Sequence, residues 1–336
     1  MPYQLIVLPD HTAMPFLKAV DGAKKSIRVK MFLFSHPGLI DAVIRAKKRG
    51  VDVRVMLNPA RRSGKSENAG TAKKLKAAKI EVSDSNPAFD VTHEKSMVVD
   101  DRIAFVQSLN WDIKNLEGTR DYAVVTDDRK EVAEVIDCFE ADWKRRTYKV
   151  SARNRLIWCN GNGRERIAQF IDGAKKSLFV QNERYQDQVI IERLVRAKMR
   201  GVKVHVMARP PHKLSREKLT EGVGGLRIMN DVGIKVHKLK HLKLHGKMLL
   251  ADGSRAIVGS INLAPGSFDS RRELAIEVRA PQVVRALKKV AHHDWKHSHP
   301  LDLTDQGLLA ELKAHQIDAG NELALKGDAC APPRKR

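Results

Sequence analysis

Apolar and polar residues alternate along this chain at intervals that assign most of it to strands and helices in turn. Tyr3 to Leu8 (YQLIVL) reads as a strand, and Met14, Leu17 and Val20 then recur at a three-residue spacing that suits a helix up to Lys25. Ser26 to Phe34 is a β-rich run. A helix follows from Pro37 to Arg49, with Leu39, Ile40, Val43 and Ile44 on one face and Gly50 as its C-terminal stop, and then a strand, VDVRVML. A helix over Thr71 to Ala78, strands on either side of THEKSMVVDD, the strand DYAVV and a helix from Arg129 to Arg146 complete the first part. In that last helix Phe139 and Trp143 stand four apart among acidic residues, so they read as core rather than as a platform for stacking bases. Strand, helix, strand in alternation predicts an α/β fold with a mainly parallel sheet and helices on its faces.

From Ser151 the order begins again, with RLIWC, a helix over Glu165 to Ala174, SLFVQ, a helix over Gln186 to Arg200, VKVHVM and a last helix over Pro281 to His297. The residues repeat as well as the pattern. DGAKKSIRV from Asp21 matches DGAKKSLFV from Asp172, RAKKRGVDVRVM matches RAKMRGVKVHVM, TRDYAVV matches RRELAIE, and Asp142-Trp143-Lys144 matches Asp294-Trp295-Lys296. The chain is therefore a tandem duplication, divided into 1–150, 151–300 and an extension over 301–336 that lies outside the repeat. The extension can form one or two short helices and ends in CAPPRKR, which reads as a frayed basic end.

One pattern carries chemistry in both copies. His93, Lys95 and Asp100 form HxK(x4)D, with Ser108 and Asn110 downstream; His245, Lys247 and Asp252, then Ser260 and Asn262, repeat it at a constant offset of 152 residues. A single chance match is expected in roughly one chain in ten of this length, so two matches in register are what make the pattern informative. Each His and Lys are alternate residues leading into an apolar run. As strand residues they would project on one face, which points two phosphate-seeking side chains the same way.

These residues resemble the phospholipase D superfamily, whose members build one active site from two HxK(x4)D motifs, each followed by GSxN. The second copy matches in full with Gly259, Ser260 and Asn262, whereas the first has Gln107 in place of the glycine. The resemblance covers nearly the whole chain. It implies two tandem α/β/α sandwich domains with mixed, mainly parallel sheets, related by a pseudo-two-fold axis. It also implies an acidic residue behind each histidine, and Asp121 and Glu273 stand at that place, each 28 residues after its histidine, with Thr119 and Arg271 where the family has asparagine.

The chemistry implied is phosphodiester cleavage without metal or cofactor. One imidazole attacks phosphorus and the other supplies a proton to the leaving oxygen, then removes one from water or an alcohol. By resemblance His93 is the nucleophile and His245 the acid and base. Lys95 and Lys247 bind the non-bridging oxygens, with Ser108, Asn110, Ser260 and Asn262 adding hydrogen bonds, and Asp121 and Glu273 set the tautomers. Asp100 and Asp252 are expected to hold the motif strands in place rather than to touch substrate. Neither His11 nor the group His292, His293, His297 and His299 has a zinc-ligand pattern, so these read as surface residues.

Charge narrows the partners without choosing between them. A formal net charge of +22 and a pI near 10.0 call for an anionic partner, either an acidic membrane surface or nucleic acid. Arg61, Arg62 and Lys65 in the first half, and RPPHKLSREK in the second, read as basic loops; Lys235, Lys238, Lys240 and Lys243 lead into the second motif where the first half has the acidic IEVSDSNPAFD, so the second half supplies more of the positive field. The cysteines Cys138, Cys159 and Cys330 lack metal-ligand spacing and are odd in number, which fits a reducing compartment. The N-terminus lacks the features of a signal peptide, and no apolar run approaches the roughly 20 residues of a membrane span. The expectation is a cytoplasmic protein, peripheral at the inner membrane face, that hydrolyses or transfers phosphatidyl groups. A metal-independent endonuclease acting on DNA or RNA is the alternative, supported by the charge and by the scarcity of aromatic or amphipathic insertions. A binding module with a dead site is disfavoured because both motifs are intact.

Overall fold

In the computed structural model, which describes residues 3–60, 66–150, 155–210, 216–307, 310 and 313, the β-branched runs of each half form their own sheet. The first runs in the order β1 (Tyr3–Leu8), β8 (Thr119–Thr126), β7 (Ile103–Gln107), β6 (Ser96–Val99), β2 (Ser26–Met31), β3 (Asp52–Leu57), β4 (Glu81–Asp84). The second runs β18 (Ser298–Pro300), β12 (Lys235–Leu239), β11 (Lys203–Ala208), β10 (Ser177–Asn182), β14 (Lys247–Ala251), β15 (Arg255–Gly259), β17 (Leu274–Val278), β9 (Leu156–Trp158).

Within each sheet's main path the described parallel pairs are β2–β3–β4 and β10–β11–β12, where helical crossovers join the strands. The motif strands form antiparallel hairpins, β6 with β7 and β14 with β15, because so few residues separate them. Two antiparallel steps restore a strand's direction, so β7 and β1 again point the way of β2, and most strands of the sheet share one direction although many neighbours do not.

Most helices form where the periodicity placed them, but the helix over Arg216–Asp231 was not expected and begins inside the segment read as a basic loop. In α2 (Pro37–Lys48) the predicted face residues Leu39, Ile40 and Val43 are buried, and the His36 ring nitrogen accepts from the Leu39 N–H at 3.2 Å as its N-cap. Helix α5 (Arg129–Trp143) starts at the Asp128 cap and stops short of the expected Arg146, where Arg145 takes a left-handed φ of 57°. Helix α10 (Pro281–Lys296) is its counterpart. The short helices α4 (Ile113–Gly118) and α9 (Pro265–Asp269) were not expected, since five or six residues show no period. The basic loop residues Arg61, Arg62 and Lys65, much of the RPPHKLSREK loop and the C-terminal CAPPRKR lie outside the described residues.

Among the described residues three apolar cores can be told apart. One lies between the first sheet and α1 (Met14–Gly22), α2 and α3 (Ala69–Ala77), and another between the second sheet and α6 (Gly163–Asp172), α7 (Gln188–Met199) and α8 (Arg216–Asp231). The third is shared. Tyr122 and Val124 of the first sheet, Trp158, Val258 and Ile276 of the second, and residues of α5 and α10 form one buried cluster. Since each fully buried aliphatic or aromatic side chain is worth roughly 1.5–3 kcal/mol, this core joins the halves into one body. Short strands also cross over: β13 (Lys243–Leu244) pairs with the start of β8, and β16 (Arg271–Arg272) pairs with β5 (Val91–Thr92).

Candidate active site

The aspartate of each motif shapes its hairpin. Asp100 and Asp101 both take φ of 55°, and Asp252 and Gly253 take 53° and 61°, the left-handed pair typical of a tight I′ hairpin turn. The Asp100 carboxylate accepts from the backbone N–H groups of Lys24, Lys25 and Ser26 at 2.6–3.0 Å, and Asp252 accepts from Lys175, Lys176 and Ser177 at 2.7–3.2 Å. Burial opposes ionisation of both, but these donors outweigh it and hold both carboxyls below the usual range. At five residues' strand length, roughly 16 Å, each lies at the far end of its strand from the motif lysine. The structure thus places Asp100 and Asp252 apart from the imidazoles.

The histidines sit just outside the strands, and each is held by the opposite half. His93 and Glu94 both donate their N–H to the Arg272 carbonyl at 2.9 Å, and His245 and Gly246 donate to the Arg120 carbonyl at 3.3 and 2.7 Å. The next residue after each arginine is the predicted carboxylate. Glu273 Oε2 therefore lies 2.8 Å from His93 Nδ1, and Asp121 Oδ1 lies 2.9 Å from His245 Nδ1. The 28-residue spacing pairs each carboxylate with its own histidine by sequence; the crossover of β13 and β16 exchanges them. With Nδ1–H donating to a carboxylate, each ring keeps Nε2 as the nitrogen left for chemistry.

The lysines complete the symmetry, and their neighbours break it. Lys95 and Lys247 each donate to the carbonyl of the motif histidine two residues before. Lys247 Nζ also lies 2.9 Å from Glu183 Oε2, and that carboxylate is bridged to Arg209 at 2.9 Å and stands 3.8 Å from His245 Nε2. The repeat places Phe32 at the same point of the first half. Its ring meets His93 edge-on, with centroids 5.0 Å apart, and Lys95 Nζ lies 5.0 Å from its centre.

Ionisation follows these surroundings. Burial, then Lys95 and Lys247, push the His93 imidazole well below its ordinary value, and burial does the same to Lys95. Burial raises Glu273, which weakens its hold on a proton donor's charge. Around His245 the balance is reversed: burial would raise Asp121 and Glu183, but Lys247 and His245 outweigh it and hold both carboxyls ionised. One ring is built to be neutral, the other faces two anions.

The serines and asparagines serve the carboxylates more than the open space. Ser108 Oγ donates to Asp121 Oδ1 at 2.6 Å, and Thr119, standing where asparagine was expected, donates to Asp121 Oδ2 at 2.5 Å. Ser260 exchanges hydrogen bonds with the Leu274 backbone. Both serines are fully buried, so the expectation that they hydrogen-bond a phosphate is not met in this arrangement. Asn110 is tied to Asn115 at 3.1 Å, whereas the Asn262 amide makes no hydrogen bond among the described residues, and the Oδ1 atoms of both are buried without a partner. Gly259 packs so closely on β17 that an added Cβ would lie 2.3 Å from the Leu274 carbonyl. Gln107, in its place in the first half, accepts from the Trp111 indole at 3.0 Å.

Behind the site lies a reciprocal clasp that sequence reasoning missed. Arg272 meets Asp142 at 2.9 Å, and Arg120 meets Asp294 at 3.0 Å, each pair buried and joining the two halves. The two aspartates begin the repeated Asp-Trp-Lys, which was the available signal. Lys30 reaches both Glu94 and Asp142, at 2.9 and 2.7 Å, so its ammonium occupies the space that Glu94, Cys138 and Asp142 enclose. Gln181 replaces it in the second half and donates to Asp294 at 2.8 Å. Glu183 was missed as well, although its mismatch with Phe32 is visible once the repeats are aligned.

A family model described as "Cardiolipin synthase, PLD-like domain" matches residues 16–143 and again 167–295. The chain belongs to this phospholipase-D-like family. The human mitochondrial cardiolipin hydrolase is 31% identical over 130 residues, 38% of this chain and 50% of that protein. Cardiolipin synthase 1 of Bacillus anthracis is 22% identical over 88% of this chain and 66% of its own length. The chain thus spans half to two-thirds of the length of these relatives. The phosphatidylserine synthase of Haemophilus influenzae Rd KW20 superposes with a TM-score of 0.72 over 96% of both chains at 13% identity, which shows the shared fold. In this family member His93 lies near enough to Lys95, Lys247 and His245 for their charges to act on it.

Proposed function

We propose that the protein cleaves phospholipid phosphodiesters, and transfers the phosphatidyl group to water or an alcohol, through a covalent phosphohistidine. The observation that carries this is the crossed pairing: two imidazoles, each anchored at Nδ1 by the other half's carboxylate, turn Nε2 toward a space flanked by two lysines. The relatives' names, cardiolipin synthase and cardiolipin hydrolase, support lipid as the substrate.

His93 is the nucleophile, because burial keeps it neutral. Its Nε2 lone pair forms the bond to phosphorus, and the bond from phosphorus to the leaving alcohol breaks. His245, which faces Asp121 and Glu183, gives that alkoxide its proton. An incoming hydroxyl then returns a proton to His245 while its oxygen displaces His93 and breaks the P–N bond. Lys95 and Lys247 stabilise charge on the non-bridging oxygens, and for Lys95 the phosphate supplies an anion that no ion pair among the described residues provides. Residues 1–150 and 151–300 act as the two repeats. No described helix is long and apolar enough to cross a membrane; the +22 charge supports attachment to the anionic cytoplasmic face of a bilayer as a peripheral protein.

The test is turnover of phosphatidylglycerol vesicles in EDTA, with headgroup release or transfer measured and the acid-labile phosphate label mapped after denaturation. Label on His93 and release that falls as salt rises are expected. Cleavage of DNA or RNA that depends on His93, with no phospholipid turned over, would replace this reading by the nuclease one, which the net charge also favours. A label on His245 would reverse the roles.

A further inference from the structure

The two halves differ on the sheet face covered by α5 and α10. In the first half a polar plug fills it: Glu140 accepts from Arg28 at 3.1 Å and Arg54 at 2.7 Å, and Arg54 lies over the stacked rings of Phe139 and Trp143. Asp101 closes it from the turn by pairing with Arg28. In the second half only the tryptophan is kept. Phe179 stands for Arg28, His205 for Arg54, Gly253 for Asp101, Ala291 for Phe139 and His292 for Glu140. Loss of the phenyl ring and both acids leaves a cavity of about 630 Å³ walled by Phe179, His205, Leu250 and Trp295.

The rim changes sign as well. Residues 129–144 carry five acids and three bases, whereas 281–296 carry one acid and four bases. Arg285, Lys288 and Lys289 line the cavity and form no ion pair among the described residues. Trp295 is held as a rigid wall, stacked on His237 with centroids 3.9 Å apart and edge-on to His205 at 4.4 Å. Burial and nearby lysines bring His205 down to about 4, so at neutral pH it is an uncharged aromatic surface. Asp252, which could oppose an anion here, is already committed to three backbone donors.

We infer that this cavity is a second, non-reacting binding site for an anionic phospholipid headgroup, with the phosphate on the Arg285, Lys288 and Lys289 rim and the glycerol and first acyl carbons against Phe179 and Trp295. Its volume is in the range of small-ligand pockets, and an apolar wall with a cationic rim suits an amphiphile better than a bare anion. It adjoins Asp252, a strand's length from Lys247, so it cannot hold the reacting phosphate. The choice of phospholipid rests on the function proposed above; the cavity and its charge do not.

In a Trp143→Phe background Trp295 is the remaining partly exposed indole, since Trp111 and Trp158 are fully buried. Its fluorescence is read against soluble dihexanoyl phosphatidylglycerol, inorganic phosphate, and phosphatidylcholine vesicles with and without brominated phosphatidylglycerol. Saturable change with the short-chain lipid, quenching by the brominated anionic vesicles and no response to phosphate alone are expected. Ala291→Phe, which restores the plug without altering charge, and the exposed His292→Glu, which restores the acid, should each weaken binding roughly tenfold or more. Equal affinity in the wild type and His292→Glu, or an equal response to inorganic phosphate, overturns the site. If Trp295 responds but no lipid is turned over, the proposed reaction fails and the site stands; unchanged turnover with a silent Trp295 removes the site alone.

Discussion

Around His93 stand an aromatic ring and a buried lysine of its own half, the lysine without a hydrogen-bonded acid among the described residues, and a carboxylate of the other half pushed toward its neutral form; around His245 stand an ionised carboxylate and an arginine of its own half and an ionised carboxylate of the other. The backbones are near copies, down to the I′ turn and the crossed histidine contacts. A duplicated frame thus supplies position twice, and a few side chains at equivalent points divide the labour. Phe32 against Glu183 is the main such exchange, and it acts through dielectric and charge rather than through shape.

The largest effect tests whether the division is real. His93→Asn and His245→Asn should each lower turnover by roughly 10⁴-fold or more, since both half-reactions use both rings. They should differ in one respect: with a substrate carrying a good leaving group, His245→Asn accumulates label on His93, while His93→Asn accumulates none. Equal labelling patterns would mean the halves are interchangeable.

The clasp should show a graded asymmetry. Asp142→Asn leaves both Lys30 and Arg272 short of a buried partner, and should lower stability in urea by about 3–5 kcal/mol. Asp294→Asn takes the carboxylate from one cation, Arg120, which keeps Asp10, and from the neutral Gln181 amide, so a smaller loss is expected. A larger loss from Asp294→Asn would show that the second clasp, not the first, secures the halves.

Where the halves are alike, substitutions should agree. Asp100→Ala and Asp252→Ala each release three backbone N–H groups and should each lower stability by about 1–3 kcal/mol, with turnover at low temperature largely retained. A loss of turnover comparable to that of the histidine variants would mean that these aspartates take part in the reaction.

The smallest effect is the most specific. Glu183 is an ionised carboxylate near His245 Nε2, so its removal makes the protonated ring less favourable. Glu183→Gln should lower turnover roughly tenfold and move the basic limb of the pH–rate profile to lower pH, the direction expected when an acid loses a neighbouring negative charge. Phe32→Leu, which changes no charge, should leave that limb in place. If both variants shift it alike, charge at this point does not set the roles.

Much of this was legible in the residues. Period-2 and period-3.6 patterns located strands and helices to within a few residues because each element buries one face, and the constant 152-residue offset announced the duplication and its paired motifs. The helix C-terminus at Trp143 and the short helices α4 and α9 were not, since a left-handed residue or a single turn has no apolar period.

The sequence by itself determined which side chains could do chemistry: two histidines, two lysines and two carboxylates at repeated spacings. Only the tertiary structure decided which carboxylate meets which histidine, because β13 and β16 pair across halves more than a hundred residues apart in sequence. The same holds for the neutral state of His93 and the filled or open space beneath α5 and α10. Burial and charge in a low-dielectric interior depend on everything within a few ångströms, and that neighbourhood is assembled from both halves at once.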